Sequence, residues 1–137
     1  MLHYLDTSAA LKLVVEEVES AALARHLNRL VAAGDDLVSS MLLFTELHCA
    51  ASQRRLLDVE SVNAVLDAVT LVDLDRADLL RAATSSWGLR SADAVHLAVA
   101  LRLESDVLIA YDRELCAAAR TAGLTVASPG PRTPRDR

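Results

Sequence analysis

The chain has 137 residues, enough for one domain with a substantial core and too few for two. Apolar residues make up 53% of it but aromatics only 3%, so the interior must be packed from Leu, Val and Ala, a composition that favours helices. The formal charge of −5 excludes a generally basic surface that holds nucleic acid by bulk electrostatics, and any polyanionic ligand therefore needs a metal ion or a local patch.

In chain order, residues 2–5 form a short apolar run that stops at Asp6-Thr7-Ser8, polar residues suited to capping a following helix. Helical spacing continues from Ala9 to Val14. A second amphipathic stretch, Val18 to Ala33, carries Leu23, Leu27, Leu30 and Val31 on one side and is stopped by Gly34. Leu37-Val38-Ser39-Ser40 reads as a brief strand, followed by helices over 41–55 and 59–69. Thr70-Leu71-Val72-Asp73 is a third strand, bounded by acidic turn formers, and residues 75–86 return to helix. Ser91 is placed to cap a helix running to Leu103, Val107-Leu108-Ile109-Ala110 makes a fourth strand, and Asp112 begins another helix that ends at Gly123. Leu124-Thr125-Val126 is a last short strand. The remainder, 128–137, holds three prolines and three arginines with nothing to bury and is expected to be a mobile tail after a domain of residues 1–127.

Short apolar strands alternating with helices predict an α/β domain, a parallel sheet of four to five strands covered on both faces. Cys49 and Cys116 lie among apolar residues without CxxC or Cys/His spacing, so both are expected to be reduced core residues. The opening residues reach an acid at Asp6, unlike a secretory leader, and no apolar run approaches the ~20 residues a membrane span needs. A cytoplasmic protein is expected. The mean hydropathy of +0.27 leaves two readings open, a large core or an apolar face covered by another chain.

Ligands of such sheets bind beyond the carboxyl ends of the strands. Asp6 follows the first strand and Asp112 the fourth, so both are expected at one edge. Each has an ordinary explanation as a helix N-cap, and Asp93, in the first turn of its helix, has one in the macrodipole. Glu46 is harder to dismiss. Its neighbours at helical spacing are Leu42, Leu43, Cys49 and Ala50, and no basic partner stands three or four residues away. A carboxylate on an apolar stripe requires a partner or a cation, and without one Glu46→Gln is expected to leave stability equal or higher. If the four acids converge, their repulsion either raises their pKa values or demands a divalent ion, and hard oxygen donors select Mg²⁺ or Mn²⁺. Such a site suits phosphodiester hydrolysis by activated water.

The order and surroundings of these acids carry a resemblance. The segments Leu5-Asp6-Thr7-Ser8-Ala9-Ala10-Leu11, Thr45-Glu46-Leu47, Arg90-Ser91-Ala92-Asp93-Ala94-Val95-His96-Leu97-Ala98 and Leu108-Ile109-Ala110-Tyr111-Asp112-Arg113-Glu114-Leu115 together resemble a PIN domain of the VapC toxin type. The resemblance runs from residue 2 to about 126 and implies a three-layer α/β/α fold. It further implies an endoribonuclease in which Asp6 and Asp93 are the principal ligands of Mg²⁺ or Mn²⁺, Glu46 binds the ion or positions water, and Asp112 completes the cluster. Thr7 or Ser8 would orient Asp6 or touch a phosphate. It implies a VapB-type antitoxin that inserts into the acidic groove, an RNA substrate and a homodimer. Arg90 and Arg113 flank the acids as candidate phosphate contacts, against the plainer reading of solvated arginines at helix starts. His96, one turn beyond Asp93, is read as structural rather than as a ligand.

Two rivals remain. A receiver-type phosphoacceptor domain also clusters acids at a doubly wound sheet, but its acidic pair should end the first strand, whereas Asp35-Asp36 precedes the second, and no lysine follows the last strand. A non-catalytic RNA- or partner-binding module would use the same acids only as helix caps. A DxD phosphatase motif is absent, since Ser8 stands two residues beyond Asp6, and no GxSxG, P-loop or HExxH occurs.

Overall fold

The computed structural model describes residues 1–54 and 57–131. Five strands, β1 (Leu2–Leu5), β2 (Asp36–Ser40), β3 (Thr70–Val72), β4 (Val107–Ile109) and β5 (Thr125–Ala127), form one sheet in the order β3-β2-β1-β4-β5, every neighbouring pair parallel. The crossovers supply α1 (Thr7–Val14), α2 (Ser20–Ala32), α3 (Met41–Gln53), α4 (Val59–Asp67), α5 (Arg76–Thr84), α6 (Ser91–Arg102) and α7 (Arg113–Thr121). A receiver-type sheet runs 2-1-3-4-5, so the strand order removes that rival.

Alternation along the strands divides the interior into two layers. Leu5, Leu37, Val107 and Ile109 face one side and pack on Leu23, Leu27 and Leu30 of α2, Leu43 and Leu47 of α3, and Val62 and Leu66 of α4. Tyr4, Val38 and Leu108 face the other, against Val95, Leu97 and Val99 of α6 and Leu115, Cys116 and Ala119 of α7. The arrangement is the expected α/β/α sandwich. Among the described residues the largest fully buried side chains are aliphatic except for Tyr4 and His96. Gly34 and Gly123 end α2 and α7 at φ of +82° and +96°, values that an L side chain rarely adopts.

Three local expectations need correction. Cys49 is exposed, because it lies two positions beyond the inward-facing Leu47 and so about 200° further round α3. Val31 is exposed for a similar reason: Leu23, Leu27 and Leu30 define the buried stripe, and the next residue turns 100° away. The cap position of α6 is Arg90, with Ser91 already helical and no side-chain cap bond. Residues 128–130, expected to open the tail, are tied to the domain: Ser128 Oγ donates to Ala110 O at 2.5 Å, and Tyr111 Oη donates to Pro129 O at 2.5 Å. Arg55 and residues 132–137 lie outside the described residues. Among those described, no helix is long and apolar enough to cross a membrane.

Candidate active site

The sheet order reverses between β1 and β4, and at such a switch point the two following crossovers diverge to opposite faces and open a crevice. Asp6 leaves β1 at that point and Asp112 lies three residues beyond β4, with Asp6 N–H donating to Ile109 O at 3.0 Å across the junction. Asp6 is 1% exposed. Its Oδ2 caps α1, accepting from Ser8 N at 3.0 Å and Ser8 Oγ at 2.6 Å, while Ser8 Oγ accepts from Tyr111 N at 3.0 Å. Ser8 thus joins the ends of β1 and β4 and fixes the rotamer of Asp6. Asp6 Oδ1 is buried without a hydrogen-bond partner, its near neighbour His96 Nε2 standing 3.9 Å away, too far for a bond.

Glu46 is 27% exposed at its side chain, on the rim of the crevice rather than on the buried stripe of α3. It has the partner that its own helix does not provide. His96 Nε2 lies 2.6 Å from Glu46 Oε1 and 3.0 Å from Thr7 Oγ1, and Thr7 Oγ1 donates to Glu46 Oε1 at 2.8 Å. The other ring nitrogen, Nδ1, is 2.8 Å from Tyr4 Oη. With both nitrogens engaged, His96 has no lone pair for a metal and acts as a clamp on Glu46. Burial pulls the His96 pKa down, but Glu46, Asp6 and Asp93 outweigh it and the net shift is upward. Burial opposes ionisation of Glu46, and the hydrogen bond and charge of His96 with the Thr7 hydroxyl overcome this, holding its pKa below the usual carboxylate range.

Asp93, in the first turn of α6, is half-buried and one helical turn from His96. Burial, then the charges of Asp6 and Asp112, with a smaller push from Glu46, raise its pKa to about 6 against relief from His96. Asp6, Asp112 and Glu46 thus all act on the ionisation of Asp93. Asp112 is exposed and caps α7, its Oδ1 accepting from Leu115 N at 2.9 Å. Arg90 and Arg113 are exposed beside the acids at the starts of α6 and α7.

Among the described residues no three His, Cys, Asp or Glu side chains already stand in a coordination sphere. The donor chemistry nevertheless fits a hard divalent cation: a buried carboxylate oxygen without a partner, and a second acid whose ionisation its acidic neighbours oppose.

A profile of the PIN domain family matches residues 3–121. The chain belongs to the PIN domain family. It is similar to two curated proteins of Mycobacterium tuberculosis, Ribonuclease VapC46 (40% identity, covering 92% of this chain and 96% of that protein) and Ribonuclease VapC47 (32% identity, covering 93% and 96%). In fold it is similar to a chain of the VapBC2 structure from Rickettsia felis, bound to a DNA fragment from their promoter. That match has a TM-score of 0.71 at 14% identity and covers 93% of this chain and 98% of that one.

Within this PIN domain, the residue that sequence reasoning undervalued is His96. The available signal was its spacing: three residues after Asp93 on one helix, the two side chains share a face. What the sequence did not reveal is that α3, fifty positions earlier, presents Glu46 to that face.

Proposed function

We propose that the chain is an endoribonuclease of the VapC type that hydrolyses RNA phosphodiesters at the acidic edge of the sheet with a divalent ion, Mg²⁺ or Mn²⁺. The observation that carries this reading is the Asp6 carboxylate, one oxygen locked as a helix cap and the other buried without a partner among three further acids. The curated relatives' names support the activity.

Asp6 and Asp93 are the principal ligands in this reading, with Glu46 and Asp112 completing the set. When bound, the ion supplies water activation and offsets charge developing on the phosphoryl oxygens. Ser8 holds Asp6 so that Oδ1 remains available. Thr7 and His96 engage Glu46 Oε1 and leave Oε2 to contact the ion or orient water. Arg90 and Arg113 neutralise phosphates flanking the scissile bond. The partner that goes with this function is a VapB-type antitoxin entering the acidic groove, since the Rickettsia felis neighbour is a VapBC complex, and the assembly is a homodimer. The compartment is the cytoplasm, where the RNA is.

The rival, a non-catalytic binding module, draws on the observed caps by Asp6 Oδ2 and Asp112. It gives no reason for the partnerless Oδ1 or for the acidic crowding around Asp93. Incubating purified protein with end-labelled RNA decides between them. Cleavage with Mg²⁺ or Mn²⁺ and none with EDTA is expected; cleavage that persists in EDTA removes the metal, and intact RNA under all conditions removes the nuclease. Sequencing the new RNA ends then defines the cut site.

A further inference from the structure

A substrate with a charge at every phosphate meets a protein whose net charge is −5 and whose reactive edge is a cluster of acids. Positive side chains near that edge are partly committed: Lys12 Nζ pairs with Glu17 at 2.5 Å and Glu19 at 3.0 Å. Helix α2 is different. Arg25 and Arg29 are exposed one turn apart on the same side, with His26 between them. They line an open cavity of about 440 Å³ whose opposite wall is the segment Ser128-Pro129-Gly130.

Three further observations make this more than two surface arginines. His26 Nε2 is buried without a hydrogen-bond partner, and burial together with Arg29 and His3 holds the His26 pKa down. Glu19, at the Gly130 end, shares Lys12 with Glu17, which offsets part of its charge. The wall is also continuous with the reactive edge. Ser128 is bonded to Ala110 and Pro129 to Tyr111, and the Tyr111 N–H is bonded to Ser8, which holds Asp6.

We propose that the α2 groove formed by Arg25, His26, Arg29 and the 128–130 strap is a phosphodiester-binding channel that holds the single-stranded RNA flank leading away from the acidic edge. The proposal rests on the ribonuclease reading above and adds the route of the substrate. Arg25 and Arg29 take successive backbone phosphates, and the channel contributes affinity and register rather than chemistry.

The test is Arg25→Ala/Arg29→Ala, two exposed positions whose change leaves the core intact, beside the control Arg76→Ala/Arg81→Ala on α5, which alters the net charge equally. Binding of a long single-stranded RNA is titrated against salt in EDTA, where the acidic edge only repels. Each lost phosphate contact flattens the slope of log K against log salt by about 0.7 for a single strand. The α2 variant should therefore lose about 1.4 from its slope, and the control should keep the wild-type slope. In cleavage assays the α2 variant should show KM raised about tenfold on long RNA with kcat unchanged. On an oligonucleotide of a few nucleotides around the cut it should match wild type.

An unchanged slope and KM overturn the channel while leaving the nuclease standing. So does a variant that binds RNA normally but fails to co-purify with an antitoxin, since the groove is then a protein site. Equal weakening by the α5 control overturns it as well, because the effect is then bulk charge. Wild-type protein that neither binds nor cuts RNA removes the function itself.

Discussion

Two aspartates in this domain are almost equally buried, Asp6 at 1% and Asp78 at 2% exposure, and their surroundings are opposite. Asp78 is satisfied on both oxygens. Oδ1 accepts from Arg102 Nε at 2.8 Å, and Oδ2 accepts from Asp75 N at 2.8 Å as part of the capping box of α5, while Arg102 also donates to Asp73 O at 3.0 Å. Burial pushes the Asp78 pKa up, and Arg102 and the backbone bond more than reverse it. Asp6 has one oxygen bonded and one without a hydrogen-bond partner, with His96 Nε2 3.9 Å away, and its charge acts with those of other acids on Asp93. A buried carboxylate needs either a protein cation or an external one. The α5–α6 junction contains the first, which ties α5 to α6, and under the proposed function the β1–β4 edge takes the second.

The sharpest way to break this contrast is to neutralise each acid in turn. Asp6→Asn or Asp93→Asn should reduce RNA cleavage about 10³-fold, roughly 4 kcal/mol in the barrier. Without metal, thermal melting of both variants should be equal to or above wild type, because repulsion is relieved. Retained cleavage in both variants would refute the site. Asp78→Asn should do the reverse. Breaking the buried pair, which leaves Arg102 only the exposed Asp75 at 3.5 Å as an acidic partner, costs about 3 kcal/mol, near 10 °C in Tm for a domain of this size, with kcat on RNA unchanged. A melting point within 2 °C of wild type, on the order of 0.5 kcal/mol, would show that the pair is not structural.

The same contrast should appear in pH dependence. Asp78 has a depressed pKa, so its stabilisation is present above the ordinary carboxylate pKa near 4 and is lost as pH falls through the lower folded value. Asp93, raised to about 6, binds more protons folded than unfolded between pH 4 and 6, so metal-free stability declines as pH rises through that window. Urea melts in EDTA should show that decline in wild type and its absence in Asp93→Asn. Added Mg²⁺ or Mn²⁺ should cancel it. An identical pH profile for the two proteins would mean that Asp93 is not crowded by its neighbours.

Much of the architecture was legible because strand-helix alternation is a local signal: five short apolar runs, with Asp6 after the first and Asp112 after the fourth, already place these two acids at one edge. Boundaries shifted by a residue or two, as with β5, which begins at Thr125 rather than Leu124. What was not legible depends on faces and on distant partners. Cys49 and Val31 sit in apolar stretches, but the angle round the helix, not the neighbours in sequence, decides burial. The 128–130 segment has a tail's composition, yet Tyr111 and Ala110, eighteen positions earlier, bind it. Ser91 has a capper's chemistry, but the chain enters α6 one residue sooner.

Glu46 is the intermediate between Asp6 and Asp78, and the smallest predicted effect separates its two possible descriptions. With no partner visible in sequence, the expectation for Glu46→Gln is equal or higher stability; the contact with His96 predicts a loss instead. Glu46, with a lowered pKa, stabilises above about pH 4, and His96, with a raised one, stabilises below about pH 6.5 and loses this as pH climbs through its higher folded value. An ionic pair therefore acts between those limits. The carboxylate is partly exposed and screened, so Glu46→Gln should cost only about 1 kcal/mol at pH 5.5 and less at pH 8.5, read by urea melts in EDTA. If the loss is absent at both pH values, His96 is neutral and donates Nε2–H to a carbonyl as readily as to a carboxylate. Glu46 then keeps its full negative charge for an ion, and the acidic edge is one cation short of balance rather than partly balanced from within.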